Sequence, residues 1–114
     1  MRAIAIVADL VFQAKIGSVA GAAGVDATFP RSPDEIDRAL EDRDDPVLVI
    51  VDLDTRWLDP IAIIERVTSA NGRASVVAFG SHVDVGKLQA ARDAGADRAL
   101  PRSAFVKILG DLFG

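Results

Sequence analysis

Val47-Leu48-Val49-Ile50-Val51-Asp52 runs five large aliphatic residues together and closes on one acid, and the reading of this stretch decides the fold. Hydrophobicity that continues without alternating marks a strand covered on both faces, as in a parallel sheet flanked by helices. Ala3 to Ala8 and Ala74 to Phe79 read the same way, Val25 to Phe29 does so more weakly, and Arg98 to Leu100 is a fifth candidate. The segments between them carry helix signals. Ser32-Pro33-Asp34-Glu35 is a capping box with proline at the first helical position, followed by Ile36, Ala39 and Leu40 at helical spacing. Asp59-Pro60 repeats that start before Ile61, Ile64 and Val67, and Asn71-Gly72 supplies the stop. Asp84 caps a helix that carries Leu88 and Ala91 and ends at Gly95. Ser103 is expected to cap the last helix, with Val106, Leu109 and Phe113 inward. The first helix, about Leu10 to Ala23, is interrupted by Gly17, Gly21 and Gly24, each costing about 1 kcal/mol relative to alanine in a helix interior. Those glycines therefore serve close packing or an ending. Strand and helix alternate five times with short connections, which predicts an α/β fold: a doubly wound, five-stranded parallel sheet with helices on both faces.

The composition bounds what such a domain does. With 114 residues the chain makes one layered core, read as a single domain over 1–114 with no room for a separate output module. Half of the residues are apolar and 26% are charged, enough burial to fold unaided. A formal charge of −4 and the lack of any basic run argue against direct nucleic-acid binding. Cysteine is absent, which removes disulfides, thiolate metal sites and thiol nucleophiles together and fits a reducing, cytoplasmic setting. The longest uncharged stretch, Ile16 to Val25, is far short of the roughly 20 residues of a membrane span.

The expected topology locates the site. Ligands bind beyond the carboxyl ends of the strands where strand order reverses, and the order 2-1-3-4-5 puts the first and third strands side by side. Asp9 and Asp52 follow those two strands. Two converging carboxylates beside helix amino termini suit a hard divalent cation such as Mg²⁺. Local roles compete with that reading: Asp9 as a helix cap, Asp52 as a solvated strand-end residue.

At full length the chain resembles the receiver domains of two-component response regulators. Ile4-Ala5-Ile6-Val7-Ala8-Asp9 is similar to their first strand and the acid behind it, and Val47 to Leu53 to their third strand with its phosphoacceptor aspartate. Ala90-Ala91-Arg92-Asp93-Ala94-Gly95-Ala96-Asp97 resembles the passage from helix four to strand five, the most specific match and a marker of fold more than of active site. The resemblance implies a flavodoxin-like receiver fold, phosphorylation of Asp52, and Mg²⁺ held by Asp9, Asp52 and the carbonyl of Asp54. It also implies a sensor kinase or other signalling protein as partner, and self-phosphorylation rather than enzymatic turnover.

Several positions depart from that pattern. Position 8 is Ala8 where receivers carry a second acid, so Mg²⁺ binding is expected to be weak. Gly80 stands where receivers place a hydroxyl, with Ser81 one place along, able to substitute only if the strand has ended there. Arg102 replaces the lysine after strand five, a planar fork in place of a point charge, and Ala99 replaces the aromatic switch residue. Losing these groups together weakens phosphoryl transfer, which depends on positioning and charge. The competing account is a pseudo-receiver, the same fold used as a phosphate-independent docking module. By resemblance, a partner or second copy docks on the helix-four, strand-five, helix-five face, here bearing His82, Val83, Arg98 and Phe105.

The remaining residues read more simply. His82, the single histidine, completes neither a triad nor a metal cluster. Trp57 and Leu58 follow the third strand and are expected to pack over the sheet edge. Gly17, Gly21 and Gly24 lie too far after the first strand for a dinucleotide fingerprint. Lys15, Arg56 and the run Glu41-Asp42-Arg43-Asp44-Asp45 are expected in solvent. A flavin-binding alternative lacks a hydroxyl- and glycine-rich cradle in Asp9-Leu10-Val11-Phe12, a cobalamin site lacks its histidine, and a hydrolase lacks a nucleophile and base.

Overall fold

A computed structural model describes residues 2–40, 46–70, 72–81 and 84–113. Its elements alternate as the apolar runs require: β1 (Arg2–Ile6), α1 (Leu10–Ala22), β2 (Asp26–Thr28), α2 (Pro33–Leu40), β3 (Val47–Asp52), α3 (Pro60–Ala70), β4 (Ala74–Gly80), α4 (Val85–Asp93), β5 (Arg98–Pro101) and α5 (Arg102–Leu112). The strands form one parallel sheet in the order β2-β1-β3-β4-β5. No helix among the described residues is long and apolar enough to cross a membrane.

Because successive side chains of a strand point to opposite faces, the sheet divides its residues between two cores. Ile4 and Ile6, with Val47, Val49 and Val51, pack under α2, α3 and α4 against Ile36, Ile64, Val67 and Leu88. Ala3, Ala5 and Val7, with Leu48 and Ile50, face α1 and α5, where Ile16, Ala20, Phe105, Leu109 and Phe113 close over them. Every residue of β3 is buried, as its unbroken hydrophobicity predicts. Asp52 continues the row of Leu48 and Ile50, so its carboxylate is directed toward the α1 and α5 side.

Helix starts follow the expected caps in three cases. Ser32 and Glu35 bond reciprocally, the Glu35 N–H donating to Ser32 Oγ at 3.2 Å and that hydroxyl to Glu35 Oε2 at 3.3 Å. Asp59 accepts from the N–H groups of Ile61 and Ala62, and Asp84 from that of Lys87. The fourth expectation fails. α5 begins at Arg102 directly from β5, with Pro101 at the N-cap and no side-chain cap bond, so Ser103 is already inside the helix. Proline's fixed φ, −58° here, turns the chain without a hydroxyl's help. The earlier start accompanies a change of inward residue: Phe105 is fully buried, while Val106 is only partly so. Asn71 and the 41–45 run lie outside the described residues.

The Ala-Gly-Ala-Asp passage has a mechanical reason. Gly95 adopts φ +118°, a conformation costly for any residue with a Cβ. A Cβ there would also lie 2.9 Å from Thr68 Cγ2 on α3. Two residues on, Asp97 clamps β4 from both sides: its N–H donates to the Val76 carbonyl at 2.9 Å, and its Oδ2 accepts from the Val76 N–H at 2.7 Å. Gly95→Ala is expected to lower the unfolding free energy by about 2–4 kcal/mol, combining a left-handed backbone with overpacking. Urea denaturation checks this, and an unchanged midpoint would contradict it.

Candidate functional site

The adjacency of β1 and β3, registered as Ile6 against Val51, sets Asp9 and Asp52 at one end of the sheet. Asp9 follows β1 and caps α1: its Oδ1 accepts from Val11 N–H at 2.8 Å and Phe12 N–H at 3.2 Å. One Asp9 oxygen thus caps α1 while the other, Oδ2, faces Arg102. Asp52 ends β3 and is only 3% exposed, so it is no solvated strand-end residue. Its Oδ1 accepts the Asp54 N–H at 2.9 Å.

A single guanidinium faces the three acids. Arg102 Nη1 lies 3.9 Å from Asp9 Oδ2, and Arg102 Nη2 lies 3.8 Å from Asp52 Oδ2 and 3.5 Å from Asp54 Oδ2. Lys87, on the first turn of α4, approaches from the other side, its Nζ 3.6 Å from Asp54 Oδ1 and 3.7 Å from Asp84 Oδ2. Beneath the guanidinium lie two rings, the Phe12 centroid at 4.9 Å and the Phe79 centroid at 5.5 Å. Phe79 stacks on Phe12 at 5.2 Å and on Phe105 at 4.3 Å, forming an apolar floor for the charge above.

Burial raises the pKa of Asp52 above the ordinary carboxylate value; the Asp54 N–H and Arg102 oppose that rise, and the neighbouring charges of Asp54 and Asp9 add to it.

The site thus brings together Asp9, Asp52, Asp54 and Arg102. Ser81 stands just past the last residue of β4, two places beyond Phe79, the register partner of Asp52, and its carbonyl accepts the Asp84 N–H at 3.1 Å. The strand has ended there, as a substituting hydroxyl requires. Gly80 itself is tightly seated: a Cβ would lie 3.3 Å from Leu53 Cβ, and Leu53 is pinned by its N–H to the Phe79 carbonyl at 2.8 Å. Sequence reasoning missed Lys87, Phe12 and Phe79. The first two were reachable, since Phe12 lies one turn after the Asp9 cap and Lys87 one turn after the Asp84 cap.

As a metal site the pocket is compromised. Asp9 and Asp52 converge as expected, but Ala8 supplies no second acid, and the free oxygens of all three aspartates already face a cation. Among the described residues no group of three or more acidic or imidazole side chains is arranged to hold a metal ion. Of the groups that the resemblance puts around Mg²⁺, the carboxylates of Asp9 and Asp52 face Arg102; the third, at Asp54, is a main-chain carbonyl.

Two surface expectations change. Phe105 does not belong to a docking face, because it is packed against Phe79; Arg98 is exposed, while His82 and Val83 lie outside the described residues. Trp57 is 37% exposed rather than packed away, though its neighbour Leu58 does pack on the core. Lys15 and Arg56 are in solvent, and Gly17 gives close packing, its Cα facing the Phe29 ring.

Sheet order and acid placement together define a doubly wound α/β domain with its acids at the carboxyl end of the sheet. No protein-family model matches the sequence, and no curated protein matches it. Solved structures do match. A response regulator from Thermotoga maritima is 14% identical over 96% of this chain and 97% of its own, with a TM-score of 0.75. A response regulator from Burkholderia pseudomallei, solved with a phosphorylated aspartic acid, calcium ion and citrate, is 16% identical over 99% of this chain and 66% of its own, with a TM-score of 0.82. The beryllofluoride-activated NtrC4 receiver domain dimer is 12% identical over 99% of this chain and 98% of its own, at 0.76. The chain has the fold of response-regulator receiver domains.

The raised pKa of Asp52 has a defined sign. The folded protein binds that proton more tightly than the unfolded chain does, so this group's contribution to stability falls as pH rises from the unfolded value through the folded one. At neutral pH its buried charge is a net cost. Asp52→Asn is therefore expected to melt higher than the parent at pH 7 and to lose the advantage as pH falls toward 4. Thermal melts across that range check it; a variant less stable at pH 7 would mean that the pairing with Arg102 outweighs burial.

Proposed function

We propose that this chain is a receiver-type signalling domain that acts through protein–protein contact in a phosphate-independent way, a pseudo-receiver docking module, without turnover of a substrate. One observation carries the reading: Arg102 faces the carboxylates of Asp9 and Asp52, the two side chains that phosphoryl chemistry would need free, and that of Asp54 beside them. The missing acid at Ala8, the missing hydroxyl at Gly80 and the missing aromatic at Ala99 support it. A Cβ at 80 would lie 3.3 Å from Leu53 Cβ, so a side chain there needs Leu53 to give.

Mg²⁺-dependent phosphorylation at Asp52, with Ser81 and Arg102 on the phosphoryl oxygens, is the second reading. It is favoured by the convergence of Asp9 and Asp52 and by the phosphorylated aspartic acid of the Burkholderia pseudomallei structure. Beryllium fluoride with Mg²⁺, followed through Trp57 fluorescence, separates the two. No saturable change is expected; a saturable change that Asp52→Asn abolishes would establish the second reading instead.

The contact surface we propose lies at the carboxyl end of the sheet. Among the described residues, the exposed large hydrophobics are Leu10, Val11, Trp57 and Val85, all contributed by the turns and first helical residues around the acid pocket. The partner is a signalling protein, a sensor kinase or another component, offering apolar side chains to this rim; a homodimer through the α4, β5 and α5 face is the competing arrangement. A photo-crosslinking amino acid placed in turn at Val11, Val85 and Arg98 in cells distinguishes them. Adducts are expected at the first two positions, and adducts confined to Arg98 would overturn the rim.

A further inference from the structure

We infer that Arg102 is the built-in counter-ion of the acid pocket, holding from within the chain the position where a divalent cation would act and keeping such cations weakly bound. The inference deepens the pseudo-receiver reading but rests on its own geometry, the disposition of six carboxylate oxygens. Asp9 Oδ1 is engaged by the N–H groups of Val11 and Phe12, Asp52 Oδ1 by the Asp54 N–H, and Asp54 Oδ1 faces Lys87. The three oxygens that remain, one per acid, all face the two terminal nitrogens of Arg102.

No other side chain type would hold this arrangement as well. A lysine is a point charge, whereas the planar fork of arginine presents one terminal nitrogen toward Asp9 and the other toward Asp52 and Asp54. The same planarity lets it lie over Phe12 and Phe79, rings fixed in turn by stacking with each other and with buried Phe105. An incoming Mg²⁺ would meet two resident cations, Arg102 and Lys87, beside three acids. It would have to displace the guanidinium to reach Oδ2 of Asp9 or of Asp52.

The test is a titration with Mg²⁺ alone, at constant ionic strength, read by Trp57 fluorescence and by the melting midpoint. The parent, Arg102→Met and Arg102→Ala are compared, each first checked for folding by circular dichroism; Met keeps contact with the rings without the charge. Arg102→Met is expected to bind Mg²⁺ at least about tenfold more tightly than the parent, and Arg102→Met/Asp52→Asn to lose that gain. Equal affinity in the parent and both variants, or no binding in any of them, would overturn the inference. A parent that responds to beryllium fluoride would end the pseudo-receiver reading yet leave this one standing, provided the Arg102 variants still gain affinity.

Discussion

The side-by-side run of β1 and β3 is the constraint from which the carboxyl end of this molecule follows. With Ile6 opposite Val51, an acid three residues past one strand and an acid closing the other cannot avoid each other's field. The parity of β3 then chooses the direction. Its odd residues face α2, α3 and α4, its even ones face α1 and α5, and Asp52 inherits the even side. A residue at the start of α5 is thereby brought to it, and that residue is Arg102.

Placing an acid in so dry a position is unfavourable, and the molecule offsets it locally. One backbone N–H, one guanidinium and the helix starts around them are the favourable terms; burial and two neighbouring acids are the unfavourable ones. The aromatic stack adds a mechanical element. Phe79 comes from β4, Phe12 from α1 and Phe105 from α5, so the floor under Arg102 is part of the α1 and α5 core. Charge arrangement and core packing are coupled at this one place.

Much of this was legible beforehand, for identifiable reasons. The unbroken run from Val47 to Val51 can only be a doubly covered strand, and Ser32, Asp59 and Asp84 mark helix starts by chemistry local enough to read from a few residues. Asp9 and Asp52 were legible as site residues because sheet order brings their strand ends together, whereas Arg102 was reached only through the resemblance. What escaped was decided across space. Phe105 and Val106 fit the helical period with Leu109 and Phe113 almost equally well, and only the stack on Phe79 separates them. Lys87 meets Asp54 across space, from another segment of the chain. Ser103 looked like a cap because Pro101 had not been weighed as the turning residue.

Gly80 and Leu53 tie together the ends of two neighbouring strands. Where a small residue and a large neighbour interlock this closely, neither changes freely without the other. A side chain introduced at 80 requires Leu53 to give by a few tenths of an ångström, so the end of β4 and the residue after β3 adjust together or not at all.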